Sequence, residues 1–255
     1  MKDIIVTKKE LKNALDAVIL KGKYKSFGGS KVGKISDTIA CFVKPNKLIL
    51  GNASYTLAAT CSLNCSNTGD DPDPSLFFVD AERLMKYVKA VSGDTLALTI
   101  NRSSIHLSGS GSHATLPLYV EHKGLEGITK LMVVRLPDEG MAVFGKHTYD
   151  TQITVDGKYL AEAIKECSVV GNATYKLDAS KDKLIIESSS EHGEETFTKE
   201  VTIMSAGPEE ATVEISAPID KFCDGVMFMY LSDDAPLLLI GADRKLVVAP
   251  YIRGE

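Results

Sequence analysis

The same order of predicted elements runs twice along this 255-residue chain, and that repetition constrains its fold more than any single motif. In the first half a short amphipathic helix (Glu10 to Leu20) leads into strands (Lys47 to Leu63). A second helix (Ala81 to Val91) then turns tightly into further strands (Thr95 to Leu107). The second half offers the same series over Gly157 to Val169, Lys183 to Ile203, Ala217 to Gly225 and Ala235 to Val248. Repetition at this length means duplicated domains, because solenoid units run to only about 20–50 residues. Two domains of roughly 120 residues each suit a chain of this size. A duplicated, mostly β scaffold with no catalytic cluster in view points to a protein that works by its shape.

Local signals place the elements. Lys2 to Val6 reads as a strand, and Thr7 with Glu10 three positions on forms a capping box. Leu11, Leu15, Val18 and Ile19 recur at helical spacing, with Lys8 and Lys12 on the other face. Pro45-Asn46 marks a hairpin between Thr38–Val43 and Leu48–Leu50, and Ser66 to Ser75 reads as a polar loop. Asp80 is an N-cap and Gly93 a C-cap for a helix that buries Leu84, Val88 and Val91, with Lys86 and Lys89 at its margin. Glu121 to Tyr149 has no clean period and carries turn signals at Gly124, Gly127, Pro137-Asp138 and Gly140. The expected organisation is α+β: an amino-terminal domain over 1–120, a connector over 121–149 and a carboxyl-terminal domain over 150–255.

Composition and motifs exclude several classes of function. No apolar run reaches 18 residues and no amino-terminal leader is present, so an intracellular, membrane-free protein is expected. The Asn-x-Ser/Thr sequons then read as chance. Five cysteines with no Cys-x-x-Cys spacing read as buried thiols. The five histidines lack metal spacing and no Gly-x-Ser-x-Gly elbow occurs, so neither a metal nor another cofactor is called for. Gly28 to Lys34 approaches a phosphate-binding loop, but Ile35 stands where Ser or Thr would hold magnesium, and Tyr24 to Phe27 is too polar and short for the buried strand such a loop follows. The net charge of −5 argues against non-specific coating of nucleic acid while leaving room for a local basic surface.

Five segments carry a family resemblance: Ala235-Pro236-Leu237 with Leu246 to Pro250, Leu84 to Lys89 followed by Gly93-Asp94-Thr95-Leu96, and Gly157 to Gly171. In this order and spacing they resemble the sliding clamps of the proliferating cell nuclear antigen family over nearly the whole chain. The resemblance implies duplicated clamp domains with antiparallel sheets outside and two helices per domain inside. It further implies a homotrimeric ring around duplex DNA, without catalytic activity, that tethers a DNA polymerase and other replication and repair enzymes and is loaded by a clamp loader. Lys8, Lys9, Lys12, Lys86, Lys89 and Lys165 then occupy DNA-facing positions, although helical lysines commonly do no more than solvate a face. Lys31 and Lys34, in a basic glycine-rich insertion over 21–34, are added as candidate DNA contacts. The segment Pro218 to Gly225 is poorly basic, with Lys221 against Asp220 and Asp224.

By the same resemblance, clients bind a groove formed by Gly51, Tyr55, Thr56 and Ala58, the connector from Leu131 through Val133 to Leu136, and Pro236, Val247, Ala249 and Pro250. The plain alternative is that these are core and strand residues. Neighbouring subunits would pair through His113 to Val120 and Glu195 to Ile203, so Leu116→Pro is expected to yield monomers, and Val247→Asp or Leu131→Asp to abolish client binding with the ring intact. Two other readings remain open: a non-ring or heteromeric clamp relative, such as a viral processivity factor or checkpoint-type subunit, and a small-molecule enzyme on a duplicated α+β scaffold.

Overall fold

A computed structural model describes residues 2–19, 38–54, 56–68, 75–134, 141–170, 174–190, 194–205, 207, 209–217, 219–233 and 235–251. Lys31, Lys34, Tyr55 and Leu136, and the whole insertion over 21–34, lie outside them. The chain divides into two compact units, one holding Ile35–Ser54 and Ala59–Ile128 with the amino terminus, the other Tyr55–Ala58 and Thr129–Glu255.

In the first unit β1 (Lys2–Thr7) and α1 (Lys8–Val18) are followed by β2 (Thr38–Lys44), β3 (Lys47–Ala53), β4 (Leu57–Asn64), β5 (Ser66–Thr68) and β6 (Ser75–Asp80). Next come α2 (Ala81–Ala90), β7 (Thr95–Ile100), β8 (Ser104–Gly109) and β9 (Ser112–Tyr119). The strands lie in the order β4-β3-β2-β6-β9-β8-β7-β1-β5. All the ladders resolved within it are antiparallel. The hairpin at Pro45-Asn46 forms as expected, Asn46 taking the left-handed φ of 55° the tight turn needs. Ser66–Thr68, expected as loop, pairs with β1, a three-residue edge too short and polar to announce itself. Thr7 caps α1 by accepting from the Glu10 N–H, and Asp80 caps α2 by accepting from the Arg83 N–H at 2.7 Å.

The second unit repeats the series. After the small hairpin of β10 (Val143–Phe144) and β11 (His147–Thr148) come β12 (Thr151–Asp156), α4 (Gly157–Cys167), β13 (Thr174–Ala179), β14 (Lys183–Ser189), β15 (Thr196–Thr202), β16 (Ala211–Ile215), β17 (Val226–Leu231), β18 (Leu237–Ile240) and β19 (Arg244–Val248). Between the units' repeats, α3 (Leu125–Val133) occupies part of the expected connector. The strand orders are β15-β14-β13-β16 and β12-β17-β18-β19. Strand, helix, four strands, then three strands is thus the shared ground plan, with β5 an extra short strand in the first unit.

The second helix of the second unit does not form among the described residues. Residues 219–223 make a single turn, with Phe222 N–H and Cys223 N–H both donating to Ile219 O. Ala217, Ile219, Phe222 and Cys223 are all buried, the last three at the i, i+3, i+4 spacing of one helical face, but the turn is not continued into a helix. Buried Arg244 pins the turn: its Nη1 donates to Phe222 O at 3.1 Å and its Nη2 lies 3.5 Å from Asp224.

Lys8 joins the two helices of the first unit. Its Nζ donates to Lys89 O at 3.2 Å and Val91 O at 2.7 Å, which satisfies carbonyls left open where α2 ends. Lys8→Met keeps the stem but not the donors. It should lower the free energy of unfolding by about 1 kcal/mol, read as a lower urea midpoint; an unchanged midpoint would show that water serves those carbonyls equally well.

Candidate functional site

Among the described residues β9 and β15 each carry an edge with no strand partner over most of their length. On β9, Leu118 N–H donates to Ser103 O at 2.9 Å, which sets the phase of the ladder: Ser112, Ala114 and Leu116 also turn their backbone groups toward β8. His113, Thr115 and Pro117 therefore present theirs outward, and only beyond them, at Leu118 and Tyr119, does β9 meet β6. Pro117 contributes a carbonyl but no donor. On β15, Ser190 N–H donates to Glu195 O at 2.9 Å, so Phe197, Lys199 and Val201 face β14 and Thr196, Thr198, Glu200 and Thr202 face outward. The expected Leu116→Pro test needs correction, because the Leu116 N–H belongs to the internal ladder and its side chain is 1% exposed. Thr115, beside it, has its N–H on the open edge, as does His113.

The candidate basic residues behave differently from one another. Lys9, Lys12, Lys86, Lys89 and Lys165 are exposed, whereas Lys8 is half-buried and spends its ammonium on α2. Arg83 was not singled out in the sequence, yet it stands exposed one turn before Lys86; its signal was the Arg83, Lys86, Lys89 spacing of three. None of these three makes an ion pair among the described residues. On α4, Lys165 is flanked by exposed Glu162 and Glu166, and Glu166 pairs with Lys199 at 2.7 Å. The excess of positive charge therefore gathers on α2 and not on α4.

The groove candidates fall into two sets. Thr56 is exposed, Pro236, Ala249 and Pro250 are half-exposed, and Val133 is 75% exposed. Ala249 N–H donates to Thr56 O at 2.8 Å, and Pro236 precedes the Leu237–Val248 pair, so these residues gather in the second unit. Leu131, Ala58 and Val247 are buried, Leu131 completely and Val247 with 7% of its surface exposed. An Asp at Leu131 or Val247 would bury an unpaired carboxylate, so neither substitution is the clean test expected from the sequence. Gly51 is no groove residue either: a Cβ there would stand 2.4 Å from Ile128 Cγ2, so α3 seals it.

Two unforeseen contacts fix α3. Lys245 Nζ donates to Met132 O at 3.0 Å and also to Val134 O, capping its carboxyl end. At its amino end His122 Nδ1 accepts from Gly124 N–H at 2.9 Å while His122 O accepts from Leu125 N–H at 3.1 Å. Burial lowers the His122 pKa below the ordinary 6.5, against the upward pull of backbone hydrogen bonds. The folded state thus resists a proton that the unfolded chain takes up, and stability is full above 6.5 and falls as pH drops below it. The thermal midpoint should fall between about pH 7 and about pH 5. That fall should shrink in His122→Asn, whose side-chain oxygen accepts the same N–H without titrating; an equal fall in both would clear His122.

Among the described residues no cluster of three or more His, Cys, Asp or Glu could hold a metal, and no helix is long and apolar enough to cross a membrane. All five cysteines are buried and free. No protein-family model and no curated protein matches the chain, whereas solved structures do. The chain aligns with Archaeoglobus fulgidus PCNA, solved with the C-terminal region of FEN-1 bound, at 15% identity and a TM-score of 0.70 over 100% of both chains. The fold is that of a sliding clamp. PCNA from Thermococcus kodakaraensis aligns at 15% identity and a TM-score of 0.68, over 98% of this chain and 100% of that one. The Pseudomonas aeruginosa DNA polymerase III subunit beta aligns at 14% and 0.70, over 98% of this chain. This clamp-fold chain spans 66% of the length of that bacterial subunit.

Proposed function

We propose that the protein is a DNA polymerase processivity factor: a homotrimeric ring that encircles duplex DNA without reading its sequence and holds replication and repair enzymes on it. The observation that carries this reading is the pair of open edges on β9 and β15 within a clamp fold of two repeats. β9 and β15 are different surfaces, so pairing β9 of one copy with β15 of the next is a heterologous contact that closes by rotation. The similarity to two PCNA chains over their full length favours a two-repeat protomer. Residues 121–149 would serve as the connector.

The test is topological. On a nicked circular duplex the protein should stay bound through a high-salt wash and leave once the circle is cut; equal retention on circle and linear DNA would refute encirclement.

Clients are proposed to dock on the exposed part of the groove: Thr56, Val133, Pro236, Ala249 and Pro250, with Tyr55 and Leu136 alongside in sequence and Ala58, Leu131 and Val247 as its buried floor. A peptide bearing Gln, spaced aliphatic residues and paired aromatics should bind through its aromatic anchors. Val133→Asp should weaken it about tenfold by calorimetry, with an unchanged unfolding midpoint. Undiminished binding would place the groove elsewhere.

A further inference from the structure

We propose that Lys245 is the positioning residue of the client groove: its ammonium grips the carbonyls on both sides of Val133 and so fixes that exposed side chain as an apolar wall beside Val247. The inference rests on the groove reading and names what makes the wall rigid before a client arrives. Lys245 lies half-buried on β19, paired with Ile240, and its Nζ donates to Met132 O at 3.0 Å and to Val134 O. Those carbonyls bracket Val133, which ends α3 and is 75% exposed while Leu131 and Val134 are buried. A residue whose two neighbours are held loses the freedom to turn.

The strand decides which surface the wall belongs to. Lys245 and Val247 share one face of β19 by its period of two, with buried Leu246 and Val248 on the other, and Ala249 continues the phase of the first. One ammonium thus ties the end of α3 to the face that carries Val247. The start of the helix has anchors of its own: a Cβ on Gly124 would stand 2.6 Å from Ala53 Cβ, and Ile128 closes over Gly51. Changing Lys245 should therefore release only the last turn, where Val134 N–H donates to Leu131 O at 3.3 Å. A wall already in place spares the client an ordering cost that would otherwise be subtracted from its affinity.

Two measurements on the same variants test the role: hydrogen exchange of the free protein, and calorimetry with the peptide bearing Gln, spaced aliphatic residues and paired aromatics. Lys245→Met keeps the stem and removes the donors, whereas Lys245→Arg keeps donors. In Lys245→Met the Val134 amide should exchange about tenfold faster. The peptide should bind that variant about tenfold more weakly, and Lys245→Arg to within about threefold of wild type. On a Val133→Ala background Lys245→Met should cost less than about twofold, because the side chain it positions is gone. Unchanged exchange, undiminished binding, or losses that simply add would overturn the positioning role while leaving the groove standing. A wild-type protein that does not take the peptide at all would instead overturn the groove reading, and the positioning role with it.

Discussion

Thr115→Pro should convert the assembled protein to single copies while each copy keeps its fold. Proline removes the one N–H that Thr115 offers on the open edge of β9, and its ring takes up the space where a partner strand would lie. Pro117 already withholds a donor two positions on, so the edge would be left with the His113 N–H alone. Thr198→Pro should do the same from the β15 side. Leu116→Pro is the contrasting control: it breaks the internal ladder to Ile105, so it should lose ellipticity and thermal midpoint together. If Thr115→Pro and Thr198→Pro both retain the full assembly mass, the strands that join copies lie elsewhere.

The largest effect on DNA should come from Lys86→Glu with Lys89→Glu, a pair that recurs in every copy and so reverses six positions of a threefold ring. For each phosphate that a lysine no longer neutralises, the log–log dependence of affinity on salt should become shallower by about 0.9. Retention on DNA and polymerase processivity should fall together. Lys165→Glu should matter less, since Glu162 and Glu166 already offset it on α4. Charge reversal at Lys31 and Lys34 should also matter less, because glycine-rich sequence has the most conformational entropy to lose on ordering. Should the Lys31 and Lys34 reversal prove the more damaging, the insertion is the main DNA contact.

Where local chemistry and packing agree, the sequence could be read directly. Thr7 and Asp80 cap their helices because a short oxygen side chain sits where a free N–H needs an acceptor, and Pro45-Asn46 turns because Asn tolerates a positive φ. Long-range packing decided the rest. Residues 125–133 are helical because Ile128 and Leu131 find a buried surface and His122 and Lys245 secure the two ends, and only the second of those anchors lies more than a hundred residues away. The turn at residues 219–223 stays a turn because Arg244, far along the chain, takes its carbonyl. Helical position alone could not separate Lys8, which caps α2, from Lys86, which faces solvent. Following lysine alone also passed over Arg83, whose guanidinium extends the same basic face.

The mass of the unmodified protein in solution at micromolar concentration tests the central claim most directly. A closed ring predicts a particle of three times the chain's 27.5 kDa, stable to dilution and dispersed by Thr115→Pro. A particle of 27.5 kDa at that concentration would contradict it.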